Sequence, residues 1–304
     1  MQEPIIVTYS SLAKFKNCQR AYRYRVVDQI VPVRFVAEPL TFGRLVHGGL
    51  ETWFSGMDFK KTLTTLRDQL QKSDFGLDTP QSRQVLTMLG GYMANYPDDR
   101  LWTVEGIEVE FGVPIEDQWL FKGKIDGVVR ANALRYILEH KTAQRVDYGY
   151  LSGLQGDFQS LTYSYFYPIF SGHKVDGVCY DILQKPSIRL KKSETLEEYA
   201  GRLEDLYADS SMFHREYLHF GIDDFADYRE ELFATLELLK QSYDRHCDGD
   251  PHAFIKNSQF CFNWGRPCAY FPLCRSLDNP TIRENSYKHE PPHSELSGSK
   301  EIPF

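Results

Sequence analysis

The stretch from 104 to 141 constrains this chain more than any other. Three segments, 104–115, 118–130 and 133–141, are dense in Val, Ile, Phe, Tyr and Trp and are parted by only a few polar residues. That pattern predicts a three-stranded antiparallel meander. Helical patterns lie on both sides. They predict a helix over 8–26 with Ser10 or Ser11 as N-cap, a second containing Gly43–Glu51, and two more near 59–73 and 80–95. A helix near 155–169 and a strand near 175–184 follow the meander. From 195 the chain reads as helical again, with Thr195 and Glu198 at capping-box spacing. Phe225, Tyr228, Leu232, Leu236, Leu239 and Tyr243 recur at intervals of three and four, the stripe of an amphipathic helix that packs on a core. The expected fold class is α/β (α+β): a mixed central sheet flanked by helices, with a helical C-terminal part, in one domain over 1–277. Residues 278–304 hold several prolines and few large apolar residues, and are expected to be a disordered tail.

With 304 residues the chain can bury a real core. It has no apolar run long enough for a membrane span and no secretory signal, so a cytoplasmic protein without membrane contact is expected. The net charge of −7 does not advertise nucleic-acid binding. Local distribution is more informative. Residues 11–25 carry Lys14, Lys16, Arg20, Arg23 and Arg25, no acidic residue, and the aromatics Phe15, Tyr22 and Tyr24. Such a stretch suits phosphate contacts flanked by base stacking, and a solvated helix face accounts for it equally well.

Two carboxylates interrupt the apolar strands. Asp126 falls on the second strand, in Gly123-Lys-Ile-Asp-Gly-Val-Val129, and Glu139 on the third, in Ile137-Leu-Glu-His-Lys-Thr142. Adjacent antiparallel strands would bring both carboxylates to one Mg²⁺ or Mn²⁺, hard cations that take oxygen ligands and can promote phosphodiester hydrolysis. Glu139 and Lys141, two apart on a strand, project from the same face. The Lys141 ammonium would then orient or help deprotonate an attacking water. His140 points the other way, leaving its backbone carbonyl as a candidate metal ligand. An acid and a lysine two apart are common on solvated strands. Here Ile125, Val128, Ile137 and Leu138 flank them, and buried charges need a partner or a metal.

These residues resemble motifs of the PD-(D/E)XK nucleases, in the branch that holds the nuclease domains of RecB and AddB and the CRISPR-adaptation exonucleases. Gly-Lys-Ile-Asp126 and Leu-Glu139-His-Lys141-Thr are similar to motifs II and III. Gly43-Arg-Leu-Val-His47 is similar to the family's Gly-x-x-x-His motif, and Gln159-Ser-Leu-Thr-Tyr163 to its Gln-x-x-x-Tyr motif. The resemblance implies a restriction-endonuclease-like core, His47 as a further metal ligand, and Gln159 and Tyr163 as DNA-contacting or site-supporting residues. It also implies DNA as substrate, digested exonucleolytically and preferably as a single strand, in recombination, repair or CRISPR-type processing. No Gly-x-x-x-x-Gly-Lys-[Ser/Thr] motif of a built-in motor occurs.

Six cysteines in a cytoplasmic chain do not suggest disulfides. Cys179 and Cys247 read as structural. Cys261, Cys268 and Cys274 crowd into fourteen residues, and Cys18 is a candidate fourth thiol. Four thiolates hold zinc or a [4Fe–4S] cluster, and the spacing decides for neither. The family resemblance implies the cluster, since its iron–sulfur members use one N-terminal and three C-terminal cysteines to staple the domain's ends. The six residues between Cys261 and Cys268 depart from the commoner two.

The terminal Ile302-Pro303-Phe304 resembles the tip by which bacterial single-stranded-DNA-binding proteins dock replication and recombination partners. The aspartate run expected before such a tip is missing, and a plain disordered end is the expectation. Two rival classes stay open: a DNA-binding or scaffold subunit that does not cleave, and a zinc-stabilised interaction module.

Overall fold

The computed structural model describes residues 4–33, 38–116, 118–263, 265–293, 296 and 300–301. In chain order its elements begin with β1 (Ile5–Val7), α1 (Tyr9–Asn17), α2 (Gln19–Tyr22), a π-helical turn (Arg23–Val27) and β2 (Ile30–Pro32). The helices α3 (Glu38–Phe54), α4 (Phe59–Lys72) and α5 (Pro80–Asn95) lead to strands β3 (Thr103–Ile115), β4 (Trp119–Ala131) and β5 (Leu134–Ala143). Next come α6 (Tyr148–Leu154), α7 (Phe158–Ser171), β6 (Gly177–Gln184), α8 (Leu196–Tyr207), β7 (Phe213–Leu218) and α9 (Ile222–Cys247). The chain continues through β8 (Phe262–Asn263), β9 (Arg266–Pro267), α10 (Phe271–Arg275), α11 (Pro280–Ser286), β10 (Tyr287–His289) and β11 (Lys300–Glu301).

These elements form two compact units, and β3 and β4 each contribute to both. One unit comprises Val36–Val109 and Lys124–Phe220. Its strands lie in the order β3-β4-β5-β6-β7. The pair β4–β5 is antiparallel, β5–β6 parallel and β6–β7 antiparallel, so the sheet is mixed. Its core joins α3, α4, α5 and α8 to one sheet face through Trp53, Leu66, Leu89, Tyr92, Leu138, Cys179 and Leu203. Local chemistry sets the helix ends. Thr79 closes a capping box with Ser82 at the start of α5, and Thr195 does so with Glu198 at α8, as its sequence spacing predicts. Gly91 lets α5 approach α8: a Cβ there would lie 2.7 Å from the Tyr207 carbonyl oxygen. Asp157 caps α7, which therefore begins at 158 and not near 155.

The other unit comprises residues 1–35, 110–123 and 221–304. Here β1 pairs in parallel with the start of β4, and β11 with the end of β3. In α9 the expected stripe is core: Tyr228, Leu232, Leu236 and Leu239 are buried. The helix expected over 8–26 is interrupted. Thr8, not Ser10 or Ser11, is the N-cap of α1, and Ser11 returns the bond from position N3. Cys18 then takes an extended conformation (φ −163°, ψ 109°), which separates α1 from α2.

Residues 280–289 depart from the disordered tail expected from 278. Asn279 caps α11, and β10 pairs antiparallel with β2. The signal lies in one residue: Tyr287 is buried, stacks on Tyr270 at 5.9 Å and donates to the Ala269 carbonyl at 3.0 Å. Burial of that ring outweighs the polar composition around it. Residues 294–295, 297–299 and the Ile302-Pro303-Phe304 tip lie outside the described residues.

Candidate active site

The β4–β5 ladder runs from Ala131↔Leu134 to Gly127↔Leu138, and the next residues on the two strands are Asp126 and Glu139. There the Asp126 side chain takes over from the backbone: its Oδ2 accepts the His140 N–H at 2.7 Å. Its Oδ1 lies 3.3 Å from Nδ1 of His47, which α3 carries. Glu139 Oε1 accepts from Lys141 Nζ at 2.5 Å and from Gln159 Nε2 at 2.8 Å. Gln159 Oε1 in turn accepts from Lys141 Nζ at 2.8 Å, closing a three-membered ring of hydrogen bonds. Tyr163, one turn further along α7, is buried. His47, Asp126, Glu139, Lys141 and Gln159 are thus gathered at one end of the β4–β5 pair, within a single unit.

Burial and charge set the electrostatics. Glu139 is 4% exposed, and burial followed by the neighbouring Asp126 charge pushes its carboxyl up to about 7, against the pull of Lys141. Burial also acts to raise Asp126, but the His47 bond and charge, with the charge and backbone amide of His140, outweigh it and hold Asp126 down at about 2. Burial disfavours the charged forms of His47 and Lys141. Their carboxylate partners prevail, and both pKa values are raised. For His140 burial prevails over the charges of Asp126 and Asp181, which act to raise it, and drives it down to about 4, so its imidazole is neutral near pH 7. The site therefore holds two neighbouring carboxylates whose repulsion a hard divalent cation would relieve. Among the described residues no group of three or more His, Cys, Asp or Glu is already drawn together as a metal-ligating set. Cationic side chains pair with the two carboxylates instead.

Two further acidic residues of this unit, Glu108 and Glu51, act on each other. Glu108, at φ 49°, pairs with Lys124 at 2.5 Å. Burial, then the Glu108 charge, raises the Glu51 carboxyl.

In the other unit Cys18, Cys261, Cys268 and Cys274 line one cavity with Arg20, Asn257 and Tyr270. All four are free thiols. Burial raises Cys268 and Cys274, and the charges of Cys18 and Cys261 raise both further. Coordination deprotonates a thiol outright, but these thiols, like the carboxylates, are not drawn together as a metal-ligating set. The basic stretch around them is already engaged. Lys16 pairs with Glu231, Arg20 donates to the Phe254 carbonyl (3.0 Å), Arg23 pairs with Asp28 and Asp278, and Arg25 with Glu290. Lys14 is held below its ordinary pKa, chiefly by burial, while Cys268 and Cys18 act to raise it.

One feature of the active-site unit escapes sequence reading. Asp181 on β6 and Asp99, both fully buried, share Arg215 of β7 and the Tyr92 hydroxyl. An aspartate inside Val178-Cys-Tyr-Asp-Ile-Leu183, an otherwise apolar strand, was the available signal.

A mixed sheet flanked by helices, with Asp126 and Glu139 at adjoining strand positions, is a restriction-endonuclease-like arrangement. The PD-(D/E)XK nuclease superfamily matches the chain over residues 6–275, and the chain belongs to that superfamily. Membership implies a nuclease acting on DNA, in a family that usually uses divalent metals such as Mg²⁺. No curated protein matches the sequence. A solved structure described as SSO0001 shares 12% identity over 78% of each chain at a TM-score of 0.33, too loose a likeness to bear on function. Among the described residues no helix is long and apolar enough to cross a membrane.

Proposed function

We propose that the protein is a Mg²⁺- or Mn²⁺-dependent deoxyribonuclease, an exonuclease that digests single-stranded DNA. It would act in recombination, repair or CRISPR-type processing, in the branch of RecB, AddB and the CRISPR-adaptation exonucleases. The observation that carries this reading is the Asp126–Glu139 pair beside the Lys141–Gln159 bonds. Asp126, Glu139, His47 and the backbone carbonyl of His140 would hold the cation, which supplies Lewis-acid polarisation of the phosphate and a more acidic water. Lys141, kept charged by Glu139, orients the attacking water and offsets negative charge that builds on the phosphate. Gln159 fixes the Lys141 ammonium and the Glu139 carboxylate in one geometry. Tyr163 supports α7 or contacts the strand.

Cys18, Cys261, Cys268 and Cys274 would bind a [4Fe–4S] cluster with a structural role, since such sites couple binding to folding. Lys14, Lys16, Arg20, Arg23 and Arg25 would contribute positive potential toward DNA, with their internal partners limiting direct phosphate contact. Docking of replication or recombination proteins through Ile302-Pro303-Phe304 belongs to the same reading.

The test is cleavage of end-labelled single- and double-stranded DNA with Mg²⁺ or Mn²⁺, using anaerobically purified wild type beside Lys141→Ala. Metal-dependent digestion that the variant loses supports the nuclease, and the label position gives its polarity. No digestion by wild type with its full iron content would favour a DNA-binding subunit. Bound zinc without iron would favour the interaction module.

A further inference from the structure

Beneath the carboxylates, three residues stand directly across neighbouring strands: His140 on β5 opposite Asp181 on β6, and Asp181 opposite Arg215 on β7. Residues in register on adjacent strands share a face, so these side chains form one row on the sheet side opposite Glu139 and Lys141. The row is fully engaged at its Arg215 end. Arg215 Nε donates to Asp181 Oδ1 at 2.5 Å, and its two terminal nitrogens donate to Asp99 at 2.6 and 3.1 Å. The Tyr92 hydroxyl reaches Asp181 Oδ2 at 2.7 Å. The guanidinium lies over the rings of Tyr96 at 3.9 Å and Trp102 at 4.5 Å. At the other end the His140 ring stacks on Phe54 (centroids 5.4 Å apart), and its Nδ1 stands 3.6 Å from Asp181 Oδ2 without a hydrogen-bond partner.

Two features set this row apart from ordinary core. Two buried carboxyl groups share one guanidinium, and the Asp181 Oδ2 that receives Tyr92 also faces the partnerless His140 Nδ1. Buried ionic clusters of this kind are weak sources of stability, and apolar replacements of similar volume are often neutral or stabilising. The row also ends on the residue whose backbone N–H holds Asp126.

We infer that Asp181, anchored by Arg215, Asp99 and Tyr92, is a positioning residue for the metal carboxylates, acting through His140. Asp181 Oδ2, the acceptor that faces His140 Nδ1, favours the Nδ1–H tautomer. That fixes the ring, and the ring fixes the backbone at 140, which carries Asp126 on its N–H. This role rests on the reading of Asp126 and Glu139 as metal ligands. Outer partners of this sort typically set metal affinity by about 10–100-fold.

The experiment is a Mn²⁺ titration of the full chain followed by the electron paramagnetic resonance signal of free Mn²⁺, with Asp126→Asn marking the site. Asp181→Asn should weaken the Asp126-dependent Mn²⁺ site by about 10–100-fold, with kcat recovered at high Mn²⁺ and KM for DNA unchanged. His140→Phe, which keeps the stack on Phe54 but removes Nδ1, should weaken Mn²⁺ binding similarly. The double variant should be no worse than either single one, because both break the same link. Affinity within twofold of wild type in folded variants, or additive losses, overturns the role. If Asp181→Asn does not fold, His140→Phe decides alone, since it leaves the Asp–Arg cluster whole. Absence of any Asp126-dependent Mn²⁺ site in wild type also overturns it. A wild type that binds Mn²⁺ there, weakened by Asp181→Asn, yet cuts no DNA, sinks the nuclease reading and leaves the positioning role standing.

Discussion

His140 donates its backbone N–H to Asp126 at 2.7 Å just past the last ladder pair of β4 and β5. A side chain there does the work of a strand, so removing the charge and removing the acceptor have different consequences.

Asp126→Asn keeps an oxygen for the His140 N–H but loses the negative charge. It should abolish cleavage and lower thermal stability by the share that the His47 pairing contributes. Asp126→Ala should be equally inactive and less stable by about 1–3 kcal/mol, because a half-buried donor loses its acceptor. Equal melting temperatures for the two variants would contradict the bonding described.

Lys141 and Gln159 should separate by magnitude. Lys141→Ala removes the ammonium beside Glu139 and is expected to reduce cleavage to background. Gln159→Ala leaves the ion pair and loses only its two buttressing bonds, for a fall of about 10–100-fold. Single-turnover rates at saturating Mn²⁺ would measure both, and an undiminished Gln159→Ala rate would remove Gln159 from the site.

Cys274→Ala should lose iron, brown colour and much of the stability, whereas Cys179→Ala, buried in β6 away from the other thiols, should keep its iron. Iron analysis and visible absorption distinguish them. Full iron content in Cys274→Ala would refute its ligation.

The segment after 278 should matter for stability. Tyr287→Ala removes a buried ring that stacks on Tyr270, and is expected to cost about 3 kcal/mol. Chemical denaturation would read this loss, and an unchanged midpoint would mean that β10 adds nothing to the fold.

Much of the active-site unit is legible in the sequence because its signals are periodic. The strands over 104–141 and helices α4 and α5 show their pattern without tertiary help, and the Asp126 and Glu139–Lys141 positions follow from strand alternation. What stays illegible is what tertiary partners decide. β7 lies in the stretch from 195 expected to be helical; its central inward residue is Arg215, a core position only where Asp181 and Asp99 wait for it. α6 is short and carries two glycines. Cys18 breaks a helix that its neighbours favour, and β10 exists through the single ring of Tyr287. Each miss is a place where one buried contact overrules local composition.

The division of the chain also orders events in time. The active-site unit is complete in sequence by Phe220, whereas the unit that gathers the cysteines needs segments from both ends of the chain. On the ribosome, Cys18 emerges early and meets Cys274 more than two hundred residues later, a wait on the order of tens of seconds at ordinary rates of synthesis. The carboxylates can be assembled while the first thiol is still without its companions. Under the proposed cluster, iron would therefore reach a chain whose cutting edge has already formed.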